Sequence, residues 1–229
     1  VEPEVFEVLP DVCFGVVTAR GVDNSAPVDG IRRLLESNVE FLRTRFSSAK
    51  VKEAEELLPY REAMRRVGIN PNKFPSSIEA LAGRIAKGGS PPFINNAVAL
   101  ANAVSLQYLL PMGAHDVQAL EDDMTVRFSA PGDVFVPFGT DREERLDRGE
   151  LVYAVGLRVK TRRWIWRQSE VGKVTDRSAH VFFPIDGFKR LNLDRISAAS
   201  DDLASRLQEH LACEVRTGLV DRKNPVFPL

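Results

Sequence analysis

Between Pro91 and Asp116 the chain reads PPFINNAVALANAVSLQYLLPMGAHD, an apolar run that carries amides and ends on a histidine. At a period of 3.6 residues, Asn95, Asn102 and Ser105 fall on one stripe with Val98 and Leu109. From Ala97 to Leu110 the run is otherwise apolar nearly all round, the pattern of a helix inside a protein. A buried amide without a partner costs about 1–3 kcal/mol. Either the fold satisfies these groups or a polar ligand does. After the helix, a turn with Pro111 and Gly113 delivers His115 beside Asp116. A loop histidine next to a rigid helix is a reasonable member of a polar site.

A second unusual segment is RVKTRRWIWRQ, Arg158–Gln168. Read as a strand, it puts Arg162, Trp164, Trp166 and Gln168 on one face and Arg163, Ile165 and Arg167 on the other. From Leu157 to Arg177 there are seven Lys or Arg and two acids, a local +5 in a chain of net charge −1. Basic residues interleaved with rings suit a nucleic-acid end, with charge for phosphate and rings for stacking. The same pattern also fits core tryptophans with arginines paired to the acidic segments.

Several chemistries are absent as motifs. GRIAKGGS (Gly83–Ser90) lacks the GK[ST] ending of a phosphate loop, and there is no HExxH, CxxC or GxSxG. Glu121, Asp122 and Asp123 read as a solvated turn, so no metal and no cofactor are expected. His180 reads as structural and His210 as a surface residue. The two cysteines, Cys13 and Cys213, have no metal spacing and fit a reducing compartment. No run of 18 apolar residues exists, and the opening VEPEVFEV is acidic without a signal-peptide core. A cytoplasmic protein with no membrane partner is expected.

The elements that must position these residues follow from periodicity. VFEVL and VCFGVVTAR read as two short strands broken by Pro10. Asp29 caps a helix through Leu34, Leu35, Val39 and Leu42. A second helix covers Val51–Val67, with Ala54, Leu57, Leu58 and Met64 inward and Gly68 as its stop. Ser76 or Ser77 caps a helix over Ile78–Ala86, which Gly88 and Gly89 end. From Met124 the period changes: TVRFSA, Phe135–Phe138, Leu151–Ala154, Gly156–Gln168 and His180–Ile185 read as strands or hairpin arms. Asp141–Glu150 is a charged surface connection. A final helix spans Ala198–Thr217, with Leu203, Leu207, Leu211 and Val215 inward, before an extended tail. Helices dominate the first half and strands the second without βαβ alternation, so the fold class is α+β: a single globular domain with a mixed β-sheet and packed helices.

These residues resemble a known family. FINNAVALANAVSLQYLLPMGAHD is similar to the helix and turn of the B3/B4 domain in the β subunit of phenylalanyl-tRNA synthetase, which reads I-N-N, then T-N-Y, then P-x-H-A-F-D. YREAMRRVGINPNKFPSSIEAL (Tyr60–Leu81) and RRWIWRQSEVGKVTDRSAHVFF (Arg162–Phe183) look still more like stand-alone B3/B4 proteins. The resemblance covers about Glu53 to Phe188 and implies one B3/B4-like domain over 1–229. Its parts are an N-terminal portion (1–52), the core motifs (53–188) and a C-terminal helix and tail (189–229).

In the synthetase this domain hydrolyses the ester of a wrongly charged tRNA in a cleft that receives the CCA end and the amino acid. The resemblance therefore implies a free-standing editing factor, a deacylase rather than a complete tRNA ligase. The alternative is a relative that binds an amino acid, a nucleotide or a tRNA end without catalysis. On this reading Asn95 and Asn102 orient the ester or ribose, and His115 positions water or acts as base. Asn96, Glu170, Gly113, Trp164 and Trp166 line the substrate. Arg162, Arg163, Arg167 and Lys173 hold the tRNA. Asn102→Ala is then expected to lower deacylation by about tenfold or more. The chain departs from the family at Ala101, where the family has threonine, and at Gly113, where it has histidine; His115 stands in the place of its phenylalanine. RRWIWRQ replaces a glycine-rich stretch, so the pocket need not take tyrosine.

Overall fold

The structure is a computed structural model that describes residues 1–47 and 50–229. It opens with a helix, α1 (Pro3–Val8), where a strand was expected. Pro3 sits in the first turn with its φ preset for a helix. Val5, Phe6 and Leu9 are buried while Glu4 and Glu7 are exposed, a helical spacing that alternation would have broken. β1 (Val12–Arg20) follows, buried along all but its last residue.

Four helices come next. α2 (Asp29–Arg45) buries Ile31, Leu35, Val39 and Leu42. Asp29 does not cap it; the chain enters at Val28, whose N–H is held by Asn96 Oδ1 at 2.9 Å. The helix expected over Val51–Val67 is divided. A single 3-10 turn covers Val51–Glu53, and α3 (Leu58–Arg66) starts where Pro59 can sit in a first turn. Leu57 is buried and Leu58 is exposed, the reverse of a continuous inward face. α4 (Ser77–Ala86) is capped as expected, Ser76 accepting from the Glu79 N–H at 3.3 Å. α5 (Asn96–Tyr108) carries the amides, is almost wholly buried, and ends on Leu109 in the left-handed region.

The second half supplies β2 (His115–Asp116), β3 (Thr125–Phe128), β4 (Val134–Phe135), β5 (Glu144–Arg145), β6 (Leu151–Val155), β7 (Arg158–Arg162), β8 (Arg167–Gln168) and β9 (His180–Phe188). α6 (Leu193–Leu211) and β10 (Glu214–Val220) close the chain. The expected last helix is thus too long by a strand: Ala212 turns left-handed at φ 47°, and Glu214–Val220 pairs antiparallel with β1. Pairing with β1 covers the edge of a strand that would otherwise be open, and this overrides the helical spacing of Val215. Likewise the charged stretch Asp141–Glu150 contains β5, which pairs with β4.

The fold is α+β, with its strands in two sheets. One runs β10-β1-β9-β2; the other runs β3-β6-β7-β4-β5, with β8 added to β7. Against β1 and β9, α6 packs over two glycines. A Cβ on Gly187 would lie 2.7 Å from Asn192 Oδ1, and one on Gly15 would lie 2.7 Å from Ser200 Oγ. Glycine in a strand interior here marks a close approach of helix to sheet. Gly187→Ala is expected to cost about 1–2 kcal/mol through overpacking, read as a lower urea midpoint with an unchanged slope.

The segment from Gly156 to Gln168, read as a long strand or hairpin arm, is a whole hairpin, β7 and β8, whose turn holds Arg163 and Trp164 at φ 50° and 58°. Alternation therefore fails at the tryptophans. On β7 the register with β6 slips between Tyr153 and Ala154, leaving Lys160 as the extra residue of a β-bulge.

Candidate active site

The segment after α5 is stitched along the edge of β9. Met112 bridges Ile185, the Gly113 N–H donates to Pro184 O at 3.0 Å, and β2 pairs His115 with Phe182. The β7–β8 hairpin faces this edge. Between them lies a small, half-open cleft of about 70 Å³, whose lining includes Gly113, His115, Tyr153, Trp164, Gln168 and Asp186, with Ser77, Thr161, Trp166 and Arg167.

His115 is buried, its ring centroid 6.3 Å from that of Tyr153 and 6.1 Å from that of Phe182. Gln168 Nε2 donates to Ala114 O at 2.6 Å and lies 3.4 Å from His115 Nδ1. An amide N–H on Nδ1 makes that nitrogen the acceptor and leaves the proton on Nε2. Nε2 faces the room left by Gly113, where a Cβ would stand 3.2 Å away. Burial, and then the nearby Lys160 cation, push the imidazole down to about 3. His115 is thus a neutral donor at physiological pH. A group of such low basicity is better suited to donating toward a water than to taking its proton.

Asp186 is the site residue that sequence reasoning missed. Its Oδ1 accepts from Tyr153 OH at 2.6 Å and from Trp164 Nε1 at 2.7 Å. Its backbone N–H donates to Pro111 O at 3.1 Å, and its carbonyl accepts from Tyr60 OH at 2.8 Å. Burial raises the carboxyl to about 7 in spite of its two donors. The signal was a lone acid inside an otherwise apolar strand, HVFFPIDGF.

Asn95, Asn96 and Ser105 are satisfied by the fold. Asn95 caps α5, accepting from the Val98 N–H at 3.0 Å and donating to Val174 O at 3.2 Å. Asn96 donates to Asp23 O and Ala26 O and accepts from Val28. Ser105 Oγ donates to Leu110 O at 2.6 Å. Asn102 is half-buried on α5 and does not line the cleft. None of Asn95, Asn96 and Asn102 borders this cleft; Asn95 and Asn96 are turned to the segment around Val174 and the loop 23–28.

The basic residues divide similarly. Arg162 pairs with Glu144 at 2.8 Å and Glu150 at 2.9 Å, and Arg163 with Glu150 at 3.4 Å. Arg163 also lies beside two rings, 3.9 Å from the centroid of Phe74 and 4.8 Å from that of Trp166. Lys173 pairs with Glu170, whose carboxyl is held below its usual range first by that lysine and then by the Gly139 N–H. Neither Glu170 nor Lys173 lines the cleft. Trp164 forms its inner wall, fully buried, while Trp166 stands at its mouth beneath Arg167, 5.0 Å from the guanidinium. Arg167 is exposed and has no carboxylate partner among the described residues.

A family model described as the B3/4 domain matches residues 59–211. Among solved structures, the chain is similar to an N-terminal fragment of the phenylalanyl-tRNA synthetase β subunit from Pyrococcus horikoshii. The identity is 16%, the TM-score 0.44, and the match covers 53% of this chain and 41% of that one. The chain thus spans less than half of that fragment's length. No curated protein matches the sequence.

Proposed function

The chain belongs to the B3/4 domain family, and on that premise we propose that its cleft receives the aminoacyl end of a tRNA and hydrolyses the ester. An aminoacyl ester is already activated, so its hydrolysis needs an oriented water and donors for the developing oxyanion more than a nucleophilic side chain. The observation that carries this reading is His115. Its Nε2–H is fixed by Gln168 on the other ring nitrogen and faces the room left by Gly113. A neutral imidazole N–H in a buried cleft wall is a preorganised donor for the water or the oxyanion. Trp164 and Trp166 bound the space for the amino acid, and Arg167 at the mouth takes a phosphate of the CCA end. Arg162 and Arg163, committed to Glu144 and Glu150, hold the hairpin in shape. Asn95 and Asn96 act on the site through the entry to α5.

Incubation with a panel of mischarged tRNAs, following loss of the aminoacyl bond, tests the proposal. For the tRNA that is deacylated, His115→Ala is expected to lower the rate by about tenfold or more, the scale of one lost donor. Asn102→Ala, by its position, leaves the rate within about twofold. Absence of deacylation across the panel would sink the catalytic reading. The low basicity of His115 favours one second reading, a module that binds an amino acid or a tRNA end without hydrolysing it. Saturable binding without turnover in the same panel would decide for it.

A further inference from the structure

We propose that Asp186 is the seat of a cationic group in the cleft, the free α-ammonium of an amino acid or aminoacyl ester. This rests on the reading of the cleft as an amino-acid site and adds what the substrate must carry. Buried acids elsewhere in the chain have cationic partners: Asp133 takes both guanidinium nitrogens of Arg127, at 2.7 and 2.8 Å, and Asp221 pairs with Lys189. Asp186 is 3% exposed, yet no Lys, Arg or His pairs with it among the described residues. Leaving a carboxylate buried and unpaired is costly.

The geometry also selects which oxygen is offered. Tyr153 from β6 and Trp164 from the hairpin turn both donate to Oδ1, which fixes the plane of the carboxyl. Oδ2 accepts nothing from the described residues and is not among the sealed, partnerless atoms. Among the described residues, Asp186 is the one carboxylate on the cleft wall. The wall around it is aromatic, with Tyr153 and Trp164 beside it, so a charge-assisted bond to an ammonium is strong there. An N-acylated amine has neither the charge nor the donors for this seat.

Calorimetry on the whole chain with a panel of amino-acid amides and their N-acetyl counterparts tests this. For the amide that binds, N-acetylation is expected to weaken binding by about thirtyfold, the scale of one charge-assisted hydrogen bond. Asp186→Asn, which keeps an acceptor for Tyr153 and Trp164, is expected to remove most of that difference and to leave the N-acetyl form unchanged. Equal affinity of free and acetylated forms for the wild-type chain, which needs no variant, would overturn the proposal; so would failure of every free amide to bind. Amide binding that depends on Asp186, with no tRNA deacylated, would leave the seat standing and remove the hydrolytic reading. Equal deacylation of aminoacyl- and N-acetylaminoacyl-tRNA would do the reverse.

Discussion

Trp164→Ala is expected to lower the stability of the fold by about 3–5 kcal/mol, the range for emptying a buried aromatic site. Trp164 is 0% exposed although it sits in a hairpin turn. Its N–H donates to Leu151 O at 2.6 Å, and its ring meets Phe188 edge-on at 6.1 Å. The indole N–H is one of the two donors on Asp186 Oδ1. Truncation therefore opens a void between hairpin and sheet and strips a buried carboxyl of half its support. Trp164→Phe separates the two losses: it keeps most of the volume and forfeits the donor, an expected cost of about 1–2 kcal/mol. Urea unfolding of both variants checks this. A change below about 1 kcal/mol for Trp164→Ala would mean that the turn is not part of the core.

The tryptophans show where sequence reading succeeds and where it stops. Composition marks Arg158–Gln168 as special, and its residues divide between the core and the cleft. Trp164 is core and Arg162 and Arg163 pair with acids, while Trp166 and Arg167 stand at the mouth of the cleft. Period-two alternation could not make that division, because two consecutive non-glycine residues take positive φ in the turn. Conversely, of the two ways the sequence left open for the amides of α5, fold or ligand, the fold supplies the partners of Asn95 and Asn96. Which partners satisfy Asn96 depends on carbonyls about 70 residues away, Asp23 and Ala26, that no local pattern reveals. The Ser76 cap, the Gly68 stop and β1 were legible because each rests on local backbone chemistry. β10 was not, because its strand character comes from β1 beside it.

Asp186 and His115 are expected to impose opposite pH dependences on stability, visible only when one is removed. The folded state holds the His115 imidazole near 3, against an ordinary value of 6.5. The unfolded chain therefore binds the extra proton as pH falls below about 6.5, and folding loses about 2 kcal/mol between pH 8 and pH 5. Asp186 runs the other way. Its folded-state value, about 7, lies above the ordinary 3.8. The folded state takes up the proton first, and folding gains about 3 kcal/mol over the same range. In the wild-type chain these two slopes nearly cancel. In Asp186→Asn the histidine acts alone, so stability relative to wild type falls by about 3 kcal/mol from pH 8 to pH 5 and by about 4 kcal/mol at pH 3. His115→Gln removes the opposing slope, and its stability relative to wild type rises by about 2 kcal/mol between pH 8 and pH 5. Urea midpoints of the three proteins across that range measure both differences. Parallel profiles would mean that neither group is held in the protonation state that its burial in the cleft wall imposes. A cation seated on Asp186 removes that residue's gain at low pH and leaves the wild-type chain with the histidine's loss, because an ammonium partner favours the ionised carboxylate that acid removes.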